Sequence, residues 1–170
     1  SSDMTALRSL GLMLLALTLS ACGFHLRGSY DIPPELLQLN LRVNPASNLS
    51  APLSNALQTA GVQLGSGRYS LIVTREKLNK QTTNTDSRAK VAEYTLIYDL
   101  SYHITDADGE KVGDEQKLTL RRSYQYDTTT IVGKSEEEET LIRELYTDAA
   151  QQILRQISFF RPVGQTSAAP

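Results

Sequence analysis

The chain has 170 residues, 40% of them apolar, which is room for one packed domain behind an N-terminal segment. Its formal charge of −2 excludes bulk attraction to nucleic acid or anionic membranes, so an anionic partner must be met by a local basic patch. The single Cys excludes an intramolecular disulfide, and eight Tyr with no Trp suit a sheet protein.

Arg8 supplies a positive charge ahead of an apolar run from Leu10 to Leu19. That run matches a signal h-region and is too short to span a bilayer. Leu19-Ser20-Ala21-Cys22 follows and reads as a lipobox, in which cleavage precedes a Cys whose thiol accepts a diacylglyceryl group. Residues 1–21 are thus expected to be a lipoprotein signal peptide, with residues 1–3, ahead of Met4, extraneous. Residues 22–30 are a lipidated tether, with N-acyl and S-diacylglycerol groups on Cys22 and no other cofactor. Gly23 stands where Asp retains Gram-negative lipoproteins in the inner membrane, so the expected address is the periplasmic side of the outer membrane. Two or three acyl chains, at about 0.8 kcal/mol per buried CH₂, anchor a protein stably without a transmembrane helix.

The domain proper is expected over 31–161. Leu37, Leu39, Leu41 and Val43 alternate after Pro33-Pro34 and predict a first strand. Ser50 is placed to cap a helix carrying Pro52 in its first turn, Leu53, Ala56, Leu57 and Ala60 on one side, and Gly61 at its end. A second strand from Tyr69 to Leu78 completes a crossover, which makes strands one and two parallel. Residues 79–89 are polar without periodicity and predict a loop. From Ala92 to Thr105 the chain alternates strictly, broken only by Ile97, and residues 91–105 predict a strand of roughly 50 Å. Asp108-Gly109 marks a hairpin, and a fourth strand returns through Leu118, Leu120, Arg122, Tyr124 and Tyr126.

Ser135 with Glu138 reads as a capping box for a last helix whose stripe is Ile142, Leu145, Tyr146, Ala149, Ile153 and Ile157. Glu136–Glu139 then lie in its first turn, where the helix dipole favours acid; this accounts for the run better than metal binding does. The small, polar tail, 162–170, is expected to be disordered. The fold class is α+β, in the order β-α-β-β-β-α. A four-stranded mixed sheet carries two helices on one face and leaves the other face polar.

No catalytic constellation is present. The only His are His25 and His103, neither beside a nucleophile, and with an acylated Cys they cannot form a zinc site. No Gly-rich phosphate loop occurs, so neither an enzyme nor a metal protein is expected. Charge placement is more informative. The strand directions gather Lys77, Lys80, Arg88, Lys90 and Lys134 at one end of the sheet. Asp106, Asp108, Glu110, Asp114 and Glu115 gather at the other end, nearer the anchor. An ordinary solvated loop accounts for the same basic residues equally well.

The run Cys22-Gly23-Phe24-His25-Leu26-Arg27-Gly28 resembles the mature start of the LptE family of lipopolysaccharide-assembly lipoproteins. The similarity continues at Pro52-Leu53, Ala92-Glu93-Tyr94 and Arg122-Ser123-Tyr124. The resemblance implies two helices on a four-stranded sheet. It also implies a heterodimer with the outer-membrane β-barrel LptD, which family members plug and help to fold, and lipopolysaccharide binding through basic residues. One family position matches Lys134. Another falls near Ser87, where this sequence departs and offers Arg88 and Lys90 as neighbours, with Lys80 and Lys77 further along. Thr95, Asp99 and Thr119, on the expected polar face, would meet the barrel lumen. The alternatives from the residues alone are a scaffold lipoprotein of another envelope machine that binds no glycolipid, and a periplasmic enzyme.

Overall fold

Alternation along one strand organises the molecule. In the computed structural model, which describes residues 2–20, 30–85, 91–127 and 134–162, Val91–Thr105 is a single strand, β4, with the bounds its period implies. Ahead of it run α1 (Ser2–Ser20), a 3-10 turn (Pro34–Leu36), β1 (Gln38–Arg42), α2 (Ser50–Thr59), β2 (Gln63–Leu64) and β3 (Tyr69–Thr85). After it come β5 (Lys111–Asp127) and α3 (Lys134–Ile157). The fold is α+β, with a mixed five-stranded sheet in the order β2-β1-β3-β4-β5. Cys22 with the whole opening motif, Ser87, Arg88, Lys90 and the tail beyond Pro162 lie outside the described residues.

Three expectations need correction. The sheet has five strands rather than four. Gln63–Leu64 adds parallel to β1 just after α2, and two residues are too few to show a period. Residues 79–85, read as loop, continue β3, and β5 begins at Lys111, well before Leu118. Both extensions follow from β4. Its backbone N–H and C=O groups need partners on both sides along its whole length. They find them at Lys80↔Leu96 and Thr85↔Ala92 on β3, and at Val91↔Asp127 and Thr105↔Lys111 on β5.

β1 is parallel to β3, as the crossover requires, and β3-β4-β5 is an antiparallel meander. α2 ends as its sequence predicts. Gly61 takes φ +94°, its N–H donates to the Gln58 carbonyl, and Val62 N–H donates to the Leu57 carbonyl at 3.0 Å, a Schellman closure. Its start differs. Leu49 is the N-cap with no side-chain cap, and Ser50 is already helical. Ser47 Oγ accepts from Leu49 N–H instead, at 3.1 Å. In the β4–β5 turn, Asp106 Oδ1 accepts from the N–H groups of Asp108 and Glu110, and Gly109 takes φ +82°.

Leu53, Ala56 and Leu57 of α2 and Leu145, Ala149 and Ile153 of α3 share one core with Leu39, Leu71, Leu96, Tyr98, Leu100, Tyr102, Leu118 and Leu120. Both helices therefore cover the same sheet face. α1 contributes nothing to this core and leaves Leu7, Leu10, Leu12 and Leu14 exposed. No helix among the described residues is long and apolar enough to cross a membrane.

Candidate functional site

On the sheet face away from the helices, the register sets residues in rows. Lys77–Asp99–Thr119, Asn79–Ile97–Arg121 and Gln81–Thr95–Ser123 lie side by side across β3, β4 and β5. The three residues expected to face a partner thus share one face. Thr119 Oγ1 donates to Asp99 Oδ1 at 2.5 Å, and the Thr95 and Ser123 hydroxyls share a hydrogen bond of 3.0 Å. Their exposure differs: Thr119 is open, Asp99 half-buried and Thr95 buried. Ile97, which breaks the polar pattern, is only 7% exposed.

Of the expected basic end, Lys77 and Lys80 lie on opposite faces of the sheet, and Arg88 and Lys90 lie outside the described residues. Lys77 stands opposite Asp99 in the strand register at mid-strand on the open face, whereas Lys80, three residues on with no bulge between them, points to the helix side. There its ammonium lies 4.6 Å from the Tyr94 ring centroid and 3.2 Å from Glu138 Oε2. Hydrogen bonding with Tyr124 raises the Lys80 pKa most, partial burial opposes it, and the Glu138 carboxylate raises it further. Tyr124 donates to the same carboxylate oxygen at 3.0 Å. The Oε2 of Glu138, expected to serve a capping box, therefore ties α3 to β3 and β5. Lys134 is the first residue of α3, so the helix starts one residue before the expected cap.

The opposite end carries acid but is not uniformly acidic. Arg42 and Arg68 border a cleft there together with Asp106 and Gly109. Thr74 Oγ1 donates to Glu115 Oε1 at 2.5 Å and, ahead of Lys111, holds that carboxyl below its usual pKa. Among the described residues no group of three or more His, Cys, Asp or Glu is placed to hold a metal. His103 lines a cleft with Tyr102, Gln156 and Phe160, and its Nδ1 is buried without a hydrogen-bond partner among the described residues.

The larger pattern, which sequence reading missed, is charge by face. On the helix side Arg122 pairs with Glu144 Oε2 at 3.7 Å and with Asp148, and Lys80 with Glu138. On the open side Arg75, Lys77, Lys117 and Arg121 are exposed, and among the described residues none has a carboxylate within ion-pair distance. The signal was available in the alternation of strands two and four, once their full lengths were inferred from the strand between them.

Known proteins share this architecture. The LPS-assembly lipoprotein LptE of Yersinia enterocolitica is 26% identical over 150 residues, 85% of this chain and 72% of the relative. A minor lipoprotein of Acinetobacter baumannii superposes with a TM-score of 0.65 at 33% identity, over 74% of this chain and 93% of that one. The rare lipoprotein B of Shewanella oneidensis gives 0.62 at 26% identity, over 71% and 93%. The family model described as LptE, lipopolysaccharide-assembly, matches residues 37–157, from the entry to β1 through the end of α3, and the chain belongs to that family.

Proposed function

We propose that this chain is a non-enzymatic lipoprotein of the outer membrane. It is held on the periplasmic side by acyl groups on Cys22 after removal of residues 1–21. Its folded domain occupies the lumen of an LptD-like β-barrel as a one-to-one plug, assists that barrel's assembly, and binds lipopolysaccharide for delivery to the outer leaflet. The observation that carries the reading is the open sheet face. Strands of 15 and 17 residues present a polar, hydrogen-bonded surface that neither helix covers. The inner wall of a large barrel is polar as well, and a flat polar face suits it. Family membership supplies the lipopolysaccharide-assembly context.

For the glycolipid, the basic candidates narrow. Lys80 is committed to Glu138 and two tyrosine rings, and Lys77 lies on the other sheet face. Lys134 at the start of α3, with Arg88 and Lys90 between β3 and β4 in sequence, remain the cations proposed to meet lipid phosphates. Each charge-assisted contact contributes about 1.5–3 kcal/mol, so losing two or more lowers affinity over tenfold.

Three measurements test the proposal. Cys22→Ser should abolish incorporation of labelled palmitate, and undiminished label removes the anchor. A photocrosslinker at exposed Thr119, in native outer membranes, should capture one large barrel; capture of many unrelated proteins rejects the plug. The triple variant Lys134→Asp, Arg88→Asp, Lys90→Asp should bind lipopolysaccharide over tenfold more weakly while circular dichroism stays unchanged. Unaltered binding would leave a role in barrel assembly alone.

A further inference from the structure

The open face carries more than polarity. Across β3, β4 and β5 the rows Arg75–Ser101–Lys117, Lys77–Asp99–Thr119 and Asn79–Ile97–Arg121 are consecutive on that face. Two residues along a strand advance about 6.8 Å and two strand spacings cover about 9.6 Å. Four exposed cations therefore share a patch of roughly 14 by 10 Å. The chain as a whole has a formal charge of −2, so the patch is local segregation and not general basicity.

The same strands show what the fold does with cations it needs internally. Lys80 of β3 and Arg122 of β5, both on the helix side, are each paired with carboxylates of α3. Arg75, Lys77, Lys117 and Arg121 are left without such pairing among the described residues. Protection of sheet edges against self-association needs charge, but not charge of one sign on one face.

We propose that this face docks against an acidic protein wall, one whose carboxylates stand opposite the Arg75, Lys77, Lys117 and Arg121 rows. This rests on the plug reading and assigns the chemistry of the barrel surface it meets. Two features favour a protein wall over a phosphorylated headgroup. The rows lie on a strand-paired surface, and two clefts that touch this face border its ends, one at Asp106 and one at Glu93. Within the rows stands Asp99, fixed by Thr119. A carboxylate amid the cations repels a phosphate but accepts hydrogen bonds from a wall that mixes acids with donors. Ser101, Thr119 and Asn79 supply neutral partners in the same rows. Barrel walls present inward residues with the same strand spacing as this sheet, so rows can face rows.

The test uses the full lipidated chain co-expressed with its barrel. One variant combines Arg75→Gln, Lys77→Gln, Lys117→Gln and Arg121→Gln; a second places Glu at the same four positions. A control reverses exposed charges of α3, Arg143→Glu with Arg155→Glu. The readout is the rate at which barrel is lost from immobilised lipoprotein in mild detergent at about 0.05 and 0.5 M salt, a range over which the screening length falls about threefold. At low salt the Gln variant should release barrel at least tenfold faster than wild type, the Glu variant faster still, and the control at the wild-type rate. At high salt wild type and the Gln variant should converge. Replacing the wall carboxylates nearest the Thr119 crosslink by Lys should restore retention of the Glu variant. Wild-type release rates in both variants, with Thr119 still crosslinking the barrel, overturn the acidic wall and leave the plug intact. Failure of Thr119 to capture the barrel removes the plug itself. Unchanged barrel retention with lost binding of purified lipopolysaccharide assigns the face to a headgroup and overturns the proposal. Circular dichroism checks the fold, and the Gln variant remains informative if the Glu variant fails to assemble.

Discussion

Neighbouring residues of β4 belong to different environments. Leu96, Tyr98, Leu100 and Tyr102 are at most 2% exposed beneath α2 and α3, while Asp99, Ser101 and His103, one position away, turn from the helices. On the covered face every polar group met so far is tied into the fold. Tyr98 OH donates to Glu76 Oε1 at 2.5 Å, Ser47 Oγ donates to the same oxygen at 2.7 Å, and Tyr102 OH is bonded to Gln156. On the open face the hydrogen bonds run from strand to strand, as at Thr119–Asp99, Thr95–Ser123 and Thr74–Glu115, and among the described residues Arg75, Lys77, Lys117 and Arg121 have no ion-pair partner. One face is therefore used to make the structure. The other is held in position by that structure and remains available for a partner.

The largest expected effect separates adjacent positions. Leu100→Ala should cost about 2–5 kcal/mol, because it removes a fully buried side chain and leaves a cavity under the helices. Ser101→Ala, on the other face, should stay within about 0.5 kcal/mol. Urea unfolding of the two variants measures both. Similar losses at the two positions would mean that the open face is packed against something in the isolated protein, and the comparison would fail.

A smaller effect tests how the covered face treats polar groups. Burial first, then the bond to Glu76, pushes the Tyr98 hydroxyl well above its usual pKa of 10.0, and burial raises Tyr102 as well. The unfolded chain ionises these groups from about pH 10, whereas the folded chain resists. Their stabilisation is therefore whole below that pH and is lost as pH rises, by at most about 1.4 kcal/mol per pH unit for each tyrosine. Lys80, whose pKa is also raised, loses its contribution in the same direction and at still higher pH. Tyr98→Phe should cost about 1.5–3 kcal/mol at neutral pH, since it deletes a hydrogen bond to a charged group. It should also flatten the decline in urea midpoint between pH 9.5 and 11.5. An unchanged slope would mean that the hydroxyl is equally free in both states.

What could be read from the chain divides along the same faces. Hydrophobic alternation located β4, the stripe of α3 and the turn at Asp108-Gly109, because burial writes itself into period and composition. Residues 79–85 and 111–117 have almost no apolar period, and their strand state is imposed by β4, whose backbone needs partners. β2 is a two-residue addition that follows from the position of α2. The charges misled for a related reason. Listed along the chain, Lys77 and Lys80 look like one cluster, but three residues along a strand place them on opposite faces. Lys80 then becomes part of the link between β3 and α3, which only the tertiary structure reveals. The opening motif from Cys22 to Gly28 informs about family without any periodicity, and lies outside the described residues.

The smallest expected effect on folding is also the sharpest on docking. Asp99 is half-buried, accepts one hydrogen bond from Thr119 and is the only carboxylate in the three rows that hold Arg75, Lys77, Lys117 and Arg121. Asp99→Asn keeps size and keeps an acceptor for Thr119, so unfolding free energy should move by no more than about 0.5 kcal/mol. If the wall opposite is acidic, that substitution removes the repulsive charge that stands within those rows and should slow barrel release severalfold at low salt. The gain should vanish as salt rises, because it comes from charge and not from shape. If the face instead meets a basic or neutral wall, Asp99→Asn should leave release unchanged or speed it, while Lys77→Gln should slow it. The pair of substitutions thus reads the sign of the opposing surface from two variants that fold alike. A result in which both speed release would trace the face's role to hydrogen-bond geometry instead of charge.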